Sequence, residues 1–516
     1  MLHRRKYRTG AHSAGHRNAA ALAAPQEPMG YSLEQSAIDL RYLLERNGPL
    51  AKIFGLYLSS RIDLLPAEYC RVLSSIPDSS PALSTLDIQK VIDEELGPSF
   101  HRAFQKIDLV SVRSGLIDQT HEAVLSNGDS VTVCILHQVC SDVTALNELA
   151  TVMHQGLVHT HFPFPIESVF ADLRDSLQRA TNLQLRGGVG ENSADVPEFL
   201  RTAQRKFYRE LSTNRILTVT RIDENYVRQL LKPSPYDLCK LAVSLCHAWL
   251  REALYGRYLP VDARSSNVAV TGAGSIAFKG TEFIELSKHT KENLRYYLLA
   301  TLVDDPDRAA LHLLQEMHPP RDGMQEAAEF RSKFRQAAYF GALEPVLGTN
   351  TNALAQLIFQ HWKTALEFGY KPSPDLLCFY RGLFSVARMA RELAPEDDPL
   401  RNGLEELDAD VMFGEVAEIT GTDYWSKNAD KFAMAMANLP QTVDEAINRA
   451  FGGSLEDSAA KPEVVAATRA KPISATVLFI AVTVFLVTPT FYRWPEQAVT
   501  IALMMAGLLG LQMCEG

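Results

Sequence analysis

The sequence has few cysteines, and they are scattered along the chain. Cysteine accounts for 7 of the 516 residues, and no two cysteines have the C-x-x-C spacing that is typical of zinc sites and redox motifs. This distribution indicates reduced thiols and argues against a disulfide framework or a zinc site. The sequence also lacks a Walker loop, a dinucleotide fingerprint and a catalytic triad. Its glycine run at 187–190 does not follow a predicted strand and indicates a loop hinge.

The chain also lacks an excess of positive charge. It contains 51 lysines and arginines and 61 aspartates and glutamates, which gives a formal net charge of -10. This balance argues against nucleic acid as the main partner, because a phosphate backbone attracts concentrated basic residues. The exception is a basic arm at residues 1–30, which has no apolar core and so does not resemble a signal peptide. We interpret the arm as a disordered tail, and contact with an anionic membrane surface is the alternative.

Long uncharged runs occur at two places, residues 473–491 and 498–513. Each run approaches the roughly 20 residues that a helix needs to cross a bilayer, so the sequence predicts a transmembrane hairpin over 473–513. A pair of helices buried in a soluble core is the alternative. Basic residues precede the first run and predict that the body lies on the cytoplasmic side of a bacterial-type inner membrane, with 452–472 as a linker.

Hydrophobic periodicity predicts an α+β fold for the body of the protein. Apolar residues recur at helical spacing after residue 31, and helix dominates again over 290–450. Between these regions, two β-rich runs flank Asn127-Gly128, a dipeptide that favours a hairpin turn. The remaining predicted elements are strands at 216–222, 268–270 and 276–278 and helices at 143–203 and 242–255.

Six stretches resemble motifs of the UbiB family of atypical kinases and occur in the family's order. The stretches are 51–66 (AKIFGLYLSSRIDLLP, in which K-x-G-Q is reduced to Gly55), 94–97 (EELG), 117–123 (IDQTHEA), 131–134 (VTVC), 262–267 (DARSSN) and 278–280 (FKG). The resemblance implies a two-lobed protein-kinase-like fold with the membrane hairpin at its C-terminus. Its expected parts are a helical N-terminal extension (31–100), a small-lobe-like region with inserted helices (101–222) and a helical large-lobe-like region (223–451).

The resemblance also shows changes at the positions that handle phosphate in the family. Cys134 stands where the family carries a strand lysine, and Lys279 falls where it carries the metal-binding aspartate. In the family's glutamate-containing helix, Asp175 is kept but both glutamates are replaced. Asp262 and Asn267 remain at the positions of the catalytic base and of a metal ligand. The resemblance therefore implies a degenerate nucleotide site with Asp262 at the catalytic position, the other four residues at cofactor-binding positions, and no metal.

Phosphoryl transfer needs the lysine, the magnesium ligands and the base together, so these changes predict a pseudokinase without efficient catalysis. By resemblance, such a protein binds a lipid or holds partner enzymes in isoprenoid-quinone biosynthesis or membrane lipid handling. One alternative is an ATPase or kinase with a rearranged site, in which Lys279 neutralises phosphates directly. Another is a structural subunit of a membrane assembly.

The resemblance further sets which ligands and partners are expected. ATP is a candidate ligand, and magnesium is not expected, because one asparagine amide is a poor magnesium site. The expected partners are the lipid bilayer, an isoprenoid lipid or quinone-biosynthesis proteins, and further subunits of the same or another chain. Nucleic acid is not expected.

Overall fold

The computed structural model describes residues 33–138, 143–157, 166–189, 205–222, 224–227, 237–271, 275–279, 282–320, 327–336 and 353–420. The chain divides into two compact units, Met1–Gly414 and Glu415–Gly516, and the side chains discussed below lie in the first. The predicted basic arm, linker and membrane hairpin fall outside the described residues. Among the described residues, no helix combines the length and the apolar character that crossing a bilayer requires.

Helices dominate both ends of the described chain, and strands are concentrated between them. The helices are α1 (Leu33–Arg46), α2 (Gly48–Leu58), α3 (Ala67–Leu73), α4 (Thr85–Glu95), α5 (Pro98–Ala103), α6 (Val143–Leu157), α7 (Ile166–Ala180), α8 (Leu183–Gly188), α9 (Leu238–Leu254), α10 (Lys288–Leu302), α11 (Pro306–Gln315), α12 (Ala327–Gln336), α13 (Leu354–Glu367), α14 (Pro374–Leu393) and α15 (Pro399–Thr420). The strands are β1 (Phe104–Ile107), β2 (Arg113–Ser114), β3 (Asp118–Leu125), β4 (Ser130–Leu136), β5 (Ile216–Thr220), β6 (Glu224–Tyr226), β7 (Leu259–Pro260), β8 (Val268–Thr271), β9 (Ile276–Phe278), β10 (Phe283–Ile284), β11 (Met317–His318) and β12 (Lys371–Pro372).

The main sheet is antiparallel and has the strand order β1-β3-β4-β5, with β2 also paired to β3. Its central hairpin, β3–β4, turns at Asn127 and Gly128 as the sequence predicts. Gly128 has a φ of 89°, which glycine adopts readily because it has no Cβ. The Asn127 side chain accepts a hydrogen bond from the Asp129 amide (3.0 Å). The turn is therefore stabilised by local interactions.

Side chains of β4 alternate between two separate cores. Val131, Val133 and Ile135 face a core that also contains residues of α4 and α5. Cys134 and Leu136 face the opposite side of the sheet, where a smaller core contains residues of α7 and α8. Cys134 is thus a buried strand residue in largely apolar surroundings.

The N-terminal helices share a core with the helices that follow the sheet. Gly55, which the family motif keeps, lies in α2 against Leu44 of α1 and against Ile76, which follows α3. A Cβ added at Gly55 would come within 2.3 Å of Ile76 Cδ1 and 2.9 Å of Leu44 Cδ1. The glycine is therefore required by close packing at this position.

Several helices begin where a side chain caps their first turn. Ser84, Asp237, Ser287 and Ser373 precede α4, α9, α10 and α14, and each accepts a hydrogen bond from a backbone amide of the helix that follows. Such caps satisfy amides that have no partner within the helix. They fix these helix starts through local chemistry, and the helix predicted at 242–255 begins earlier, at Leu238, directly after the Asp237 cap.

The glycine run at 187–190 is in part helical, so the loop-hinge interpretation is wrong for its first two residues. Gly187 and Gly188 form the end of α8 and are buried. A Cβ at Gly187 would lie 2.6 Å from the Phe207 ring. Because Gly187 has no side chain, α8 can approach the segment before β5. The need for glycine at this position is therefore set by tertiary packing.

A small antiparallel sheet with helices before, beside and after it gives a kinase-like fold of mixed helices and sheets. The strands predicted at 268–270 and 276–278 are present as β8 and β9. The strand predicted at 216–222 is present as β5 but ends at Thr220. The α+β prediction is therefore confirmed.

His361 lies buried among aromatic residues in the helical part of the chain. Its ring stacks on that of Phe334 with the centroids 4.1 Å apart, and Tyr297 Oη lies 3.4 Å from its Nδ1. Burial lowers the pKa of His361 to about 3, because the charged imidazolium would lose its hydration. The folded protein thus keeps this ring neutral at pH values where an unfolded chain is protonated.

We predict that His361 contributes to acid destabilisation. As the pH falls from 6.5 towards about 3, the unfolded state binds a proton that the folded state does not. The free energy of unfolding then decreases by at most about 1.4 kcal/mol per pH unit. His361→Phe should flatten this dependence in urea unfolding curves measured between those two pH values. The same change at the exposed His318 should leave it unaltered, and an unchanged pH dependence in His361→Phe would contradict the prediction.

Candidate functional site

Two short strand pairings bring the predicted site residues together. The β8–β9 hairpin places Asn267 and Lys279, which flank it, side by side. The Lys279 amide donates a hydrogen bond to the Asn267 carbonyl (2.7 Å). The β7–β10 pairing extends to Val261, whose amide donates to the Glu282 carbonyl (3.0 Å). The loop after β7 and the segment between β9 and β10 therefore run next to each other.

Asp262 and Asn267 line a cavity of about 810 Å³, a volume that includes space open to solvent. Its walls come from α2, α7, α14, the β2–β3 segment and the loop before β8. The charged residues of the lining are Arg113, Arg264, Arg381, Arg388, Asp78, Asp118, Asp262 and Glu282. Because basic and acidic residues are present in equal number, ion pairs within the protein can neutralise this cavity.

The carboxylate of Asp262 is fully engaged by its own loop. Arg264 donates from Nε to Oδ1 (2.7 Å) and from Nη2 to Oδ2 (2.6 Å), which is a bidentate ion pair. Asn267 Nδ2 also donates to Oδ2 (3.2 Å). Arg264 and Asn267 thus occupy three of the roughly four lone-pair sites of this carboxylate, so a substrate hydroxyl would compete with them for it.

The side-chain oxygen of Asn267 is also occupied, because Arg113 Nη2 donates to its Oδ1 (3.1 Å). A guanidinium group thus stands where the family would hold a cation. Magnesium requires several oxygen ligands in octahedral geometry, and the oxygens of Asp262 and Asn267 already accept hydrogen bonds from arginines. Among the described residues, no group of three or more histidines, cysteines or acidic residues could hold a metal ion. These residues do not fit a magnesium ion.

Cys134 and Lys279 line a second cavity, of about 500 Å³, which shares Arg113 and Asp118 with the first. Cys134 Sγ lies 3.9 Å from Thr120 Oγ1 on the paired strand. Four of the five predicted site residues therefore lie in two cavities that adjoin at shared lining residues. The fifth lies elsewhere.

Asp175 is exposed on α7 and lines neither cavity. The next residue, Ser176, and Arg179 face inward from the same helix. Helical periodicity explains this separation, because adjacent residues on a helix point about 100° apart. The structure thus places Asp175 away from the other predicted site residues.

The inward face of α7 meets a buried carboxylate that the sequence analysis did not single out, Glu282. Ser176 Oγ donates to its Oε2 (2.6 Å), and Arg179 Nη2 donates to its Oε1 (2.7 Å). Arg381 of α14 donates from Nη2 to Oε2 (2.9 Å). Glu282 and Arg381 are each 5% exposed or less. We call these four residues the Glu282 cluster.

The charges of the Glu282 cluster hold the glutamate ionised. Burial alone would raise its pKa, because it disfavours the charged form. The guanidinium groups of Arg381 and Arg179 outweigh burial and lower the pKa of Glu282 below its ordinary value. Arg381 also lies over the Tyr57 ring, 4.5 Å from its centroid, and Arg381 Nε donates to Ser60 Oγ (3.3 Å). The cluster therefore ties α7, α14 and the end of α2 to the segment before β10.

Signals for some of these residues were present in the sequence. Arg264 stands two residues after Asp262 in the quoted motif, and Glu282 stands three residues after Lys279. Either could have been noticed as a charge beside a site residue. Arg381 is 99 residues from Glu282 along the chain, and no local pattern indicates that they meet.

We predict that Glu282→Gln destabilises the protein by about 3–5 kcal/mol, because it leaves Arg179 and Arg381 buried without a carboxylate. Urea unfolding at neutral pH measures the change. The matched control is Glu285→Gln, since Glu285 is exposed and lies 3.5 Å from Arg257. The control should change the free energy of unfolding by less than about 0.5 kcal/mol. Equal effects of the two changes would show that the cluster does not carry the stability.

Comparisons with known proteins show which family this chain is similar to. Residues 75–313 match the family model described as the ABC1 atypical kinase-like domain. The Probable protein kinase UbiB of Xylella fastidiosa strain 9a5c is 25% identical over 382 residues, which are 70% of this chain and 67% of that protein. Its counterpart from strain M23 is 24% identical over 385 residues, with the same coverage. The erythromycin complex of a Mycobacterium tuberculosis protein has a TM-score of 0.39 at 15% identity and covers 70% of this chain and 96% of that chain.

The matched span of 75–313 contains the main sheet, α7 and both strand pairings of the site. It therefore includes Asp262, Asn267, Lys279 and Glu282. The ordered motifs, the kinase-like fold and the sequence matches all lead to the same assignment. Residues 75–313 thus match the ABC1 atypical kinase-like domain, and the comparisons support the UbiB/AarF family of atypical kinase-like proteins for this chain.

Proposed function

We propose that this protein is a membrane-anchored pseudokinase. Its role is to bind a ligand or to hold partner proteins in isoprenoid-quinone (ubiquinone) biosynthesis or membrane lipid handling. The tie to quinone biosynthesis follows from its UbiB family. The observation that carries the loss of catalysis is the bidentate ion pair between Arg264 and the would-be catalytic base, Asp262.

The other changes at the site support the same conclusion. An active kinase positions phosphates with a strand lysine and magnesium ligands. Here the strand position is Cys134, and Arg113 donates to Asn267 Oδ1 in place of a metal ion. Removing one preorganised charge contact typically costs about two to three orders of magnitude in rate. The combined changes leave little catalytic power for phosphoryl transfer.

The two alternative functions receive less support. A purely structural subunit would fill its cleft with side chains, and the solvent-open cavity at Asp262 counts against that. An ATPase with a rearranged site would need a cation at Lys279 to neutralise phosphates. Burial and nearby arginines lower the pKa of Lys279 to about 7, so at neutral pH about half of the molecules would lack that charge. The pseudokinase fits the site better.

Our proposal includes the arrangement of the whole chain. The helical extension (31–100), the small-lobe-like region (101–222) and the large-lobe-like region (223–451) form the body. The linker and the hairpin at 473–513 anchor this body to the inner membrane, where it lies on the cytoplasmic face. The uncharged runs in the hairpin support anchoring, because charged residues are costly within a bilayer. The bilayer, an isoprenoid lipid and quinone-biosynthesis proteins are the proposed partners, and self-association or assembly with another subunit belongs to the same proposal.

We predict that the full-length protein in detergent or vesicles hydrolyses ATP with magnesium no faster than background. Cys134→Lys alone should not restore turnover, because Arg264 still engages Asp262. A coupled phosphate-release assay measures the rate, and calorimetric titration with ATP, with and without magnesium, measures binding. Binding only without magnesium would indicate that cationic side chains replace the metal.

Turnover above background would contradict the proposal if Asp262→Asn abolishes it. Asp304→Asn is the matched control, since Asp304 is exposed and has a φ of 57°, a conformation that asparagine accepts readily. Loss of turnover in both variants would point instead to a general effect on folding, and turnover retained in both would point to a contaminating enzyme.

A further inference from the structure

The cavity around Lys279 carries an unusual excess of positive charge. Its described lining contains four basic residues, Arg113, Arg186, Arg205 and Lys279, and one acidic residue, Asp118. Asp118 is buried and forms ion pairs with Arg186 and, at 4.0 Å, with Arg113. These two arginines outweigh burial and hold the pKa of Asp118 below its ordinary value. Asp118 therefore pairs with two of the four basic residues in the described lining.

Lys279 is placed in this cavity by the backbone. It follows β9 directly, and its amide is fixed by the hydrogen bond to the Asn267 carbonyl (2.7 Å). The residues around it come from several elements: Arg113 from β2, Asp118 from β3, Cys134 from β4, Arg186 from α8, and Arg205 from the segment before β5. The amine thus lies among groups whose positions are set by the sheet and its flanking helix.

The surroundings of Lys279 favour its neutral form. Burial contributes most, then repulsion from Arg205, and Arg113 adds further repulsion, while the Cys134 thiolate would act in the opposite direction. Together they lower the pKa of Lys279 from 10.5 to about 7. At neutral pH about half of such amines are unprotonated, whereas an ordinary lysine is unprotonated in about one molecule in 2,500. A lysine beside other cations is a known way to obtain a nucleophilic amine.

We propose that Lys279 is a nucleophilic amine that captures a small aldehyde or ketone carrying a phosphate or carboxylate group. The arginines of the cavity bind the anionic group, since guanidinium matches carboxylate and phosphate geometry. The cavity is open to solvent, so a small ligand can approach Lys279 from outside. The inference goes beyond the pseudokinase proposal and does not depend on it, because it involves no nucleotide and no phosphoryl transfer.

The covalent step balances without any co-reactant. The neutral Lys279 Nζ attacks the carbonyl carbon and forms the C–N bond, and the carbonyl oxygen takes up a proton released by the nitrogen. The resulting carbinolamine loses its hydroxyl group with the second nitrogen proton as water, which leaves an imine. No electrons are exchanged with another compound, so neither an oxidant nor a reductant is needed.

The test is labelling of the full-length protein with pyridoxal 5′-phosphate, an aldehyde that carries a phosphate. Borohydride reduction makes the adduct permanent, and peptide mass spectrometry locates it. At pH 7 we expect Lys279 to be labelled at least about tenfold faster than the exposed Lys288, because far more of it is neutral. Labelling should reach half of its maximum near pH 7. Pyridoxal, which lacks the phosphate, should react several-fold more slowly at Lys279 than the phosphate ester does.

Variants separate the amine from its surroundings. Lys279→Arg keeps a cation and should abolish the adduct on that peptide. Arg205→Gln removes one repelling charge and one anion-binding group, so labelling at pH 7 should fall several-fold. Cys134→Ser should label normally, because the thiol takes no part in imine formation. Equal labelling of Lys279 and Lys288, or full labelling in Arg205→Gln, would overturn the proposal, and neither result would bear on ATP turnover.

Discussion

The arrangement of this site depends on one buried carboxylate, that of Glu282. Elements far apart in the sequence meet at it: Ser176 and Arg179 from α7, and Arg381 from α14. A buried ion pair adds little net stability, but loss of one partner is costly, so such pairs restrict the fold to one arrangement of charges. Because Arg381 also contacts Tyr57 and Ser60, the same carboxylate positions the N-terminal helices over the cavity.

The Glu282 cluster also explains how the fold keeps its shape without the usual kinase contacts. In active kinases a lysine on a strand pairs with a glutamate on a helix, and this pair holds the helix against the sheet. Here Cys134, the residue that the resemblance places at the lysine position, packs in an apolar core. Arg179 on α7 supplies a positive charge, and Glu282 beside β10 accepts its hydrogen bonds. The helix is therefore held in place by a pair of reversed polarity.

Local chemistry decided which parts of the molecule could be predicted. The turn at Asn127-Gly128 and the strands β8 and β9 depend on neighbouring residues, so the sequence predicts them. The glycine run predicts a hinge at Gly187, whereas the glycine is required there by close approach to the Phe207 ring, which is a matter of tertiary packing. The family motifs singled out Asp262, Asn267, Cys134 and Lys279 as candidates, but they could not reveal that arginines engage the first two. Long-range pairs such as Glu282 with Arg381 leave no periodic signal in one sequence.

Arginines account for two features of the site. They engage the side-chain oxygens of Asp262 and Asn267, and they help to lower the pKa of Lys279. A magnesium site needs acidic oxygens that are free to bind the ion, and here arginines bind the oxygens of Asp262 and Asn267. Arginines also line the neighbouring cavity around Lys279. Their positive charge disfavours a further cation there, whether a metal ion or a protonated amine. The pKa of Lys279 is accordingly lowered. Such a cationic cluster conflicts with simple folding rules, and conflicts of this kind concentrate where a protein binds or transforms a ligand.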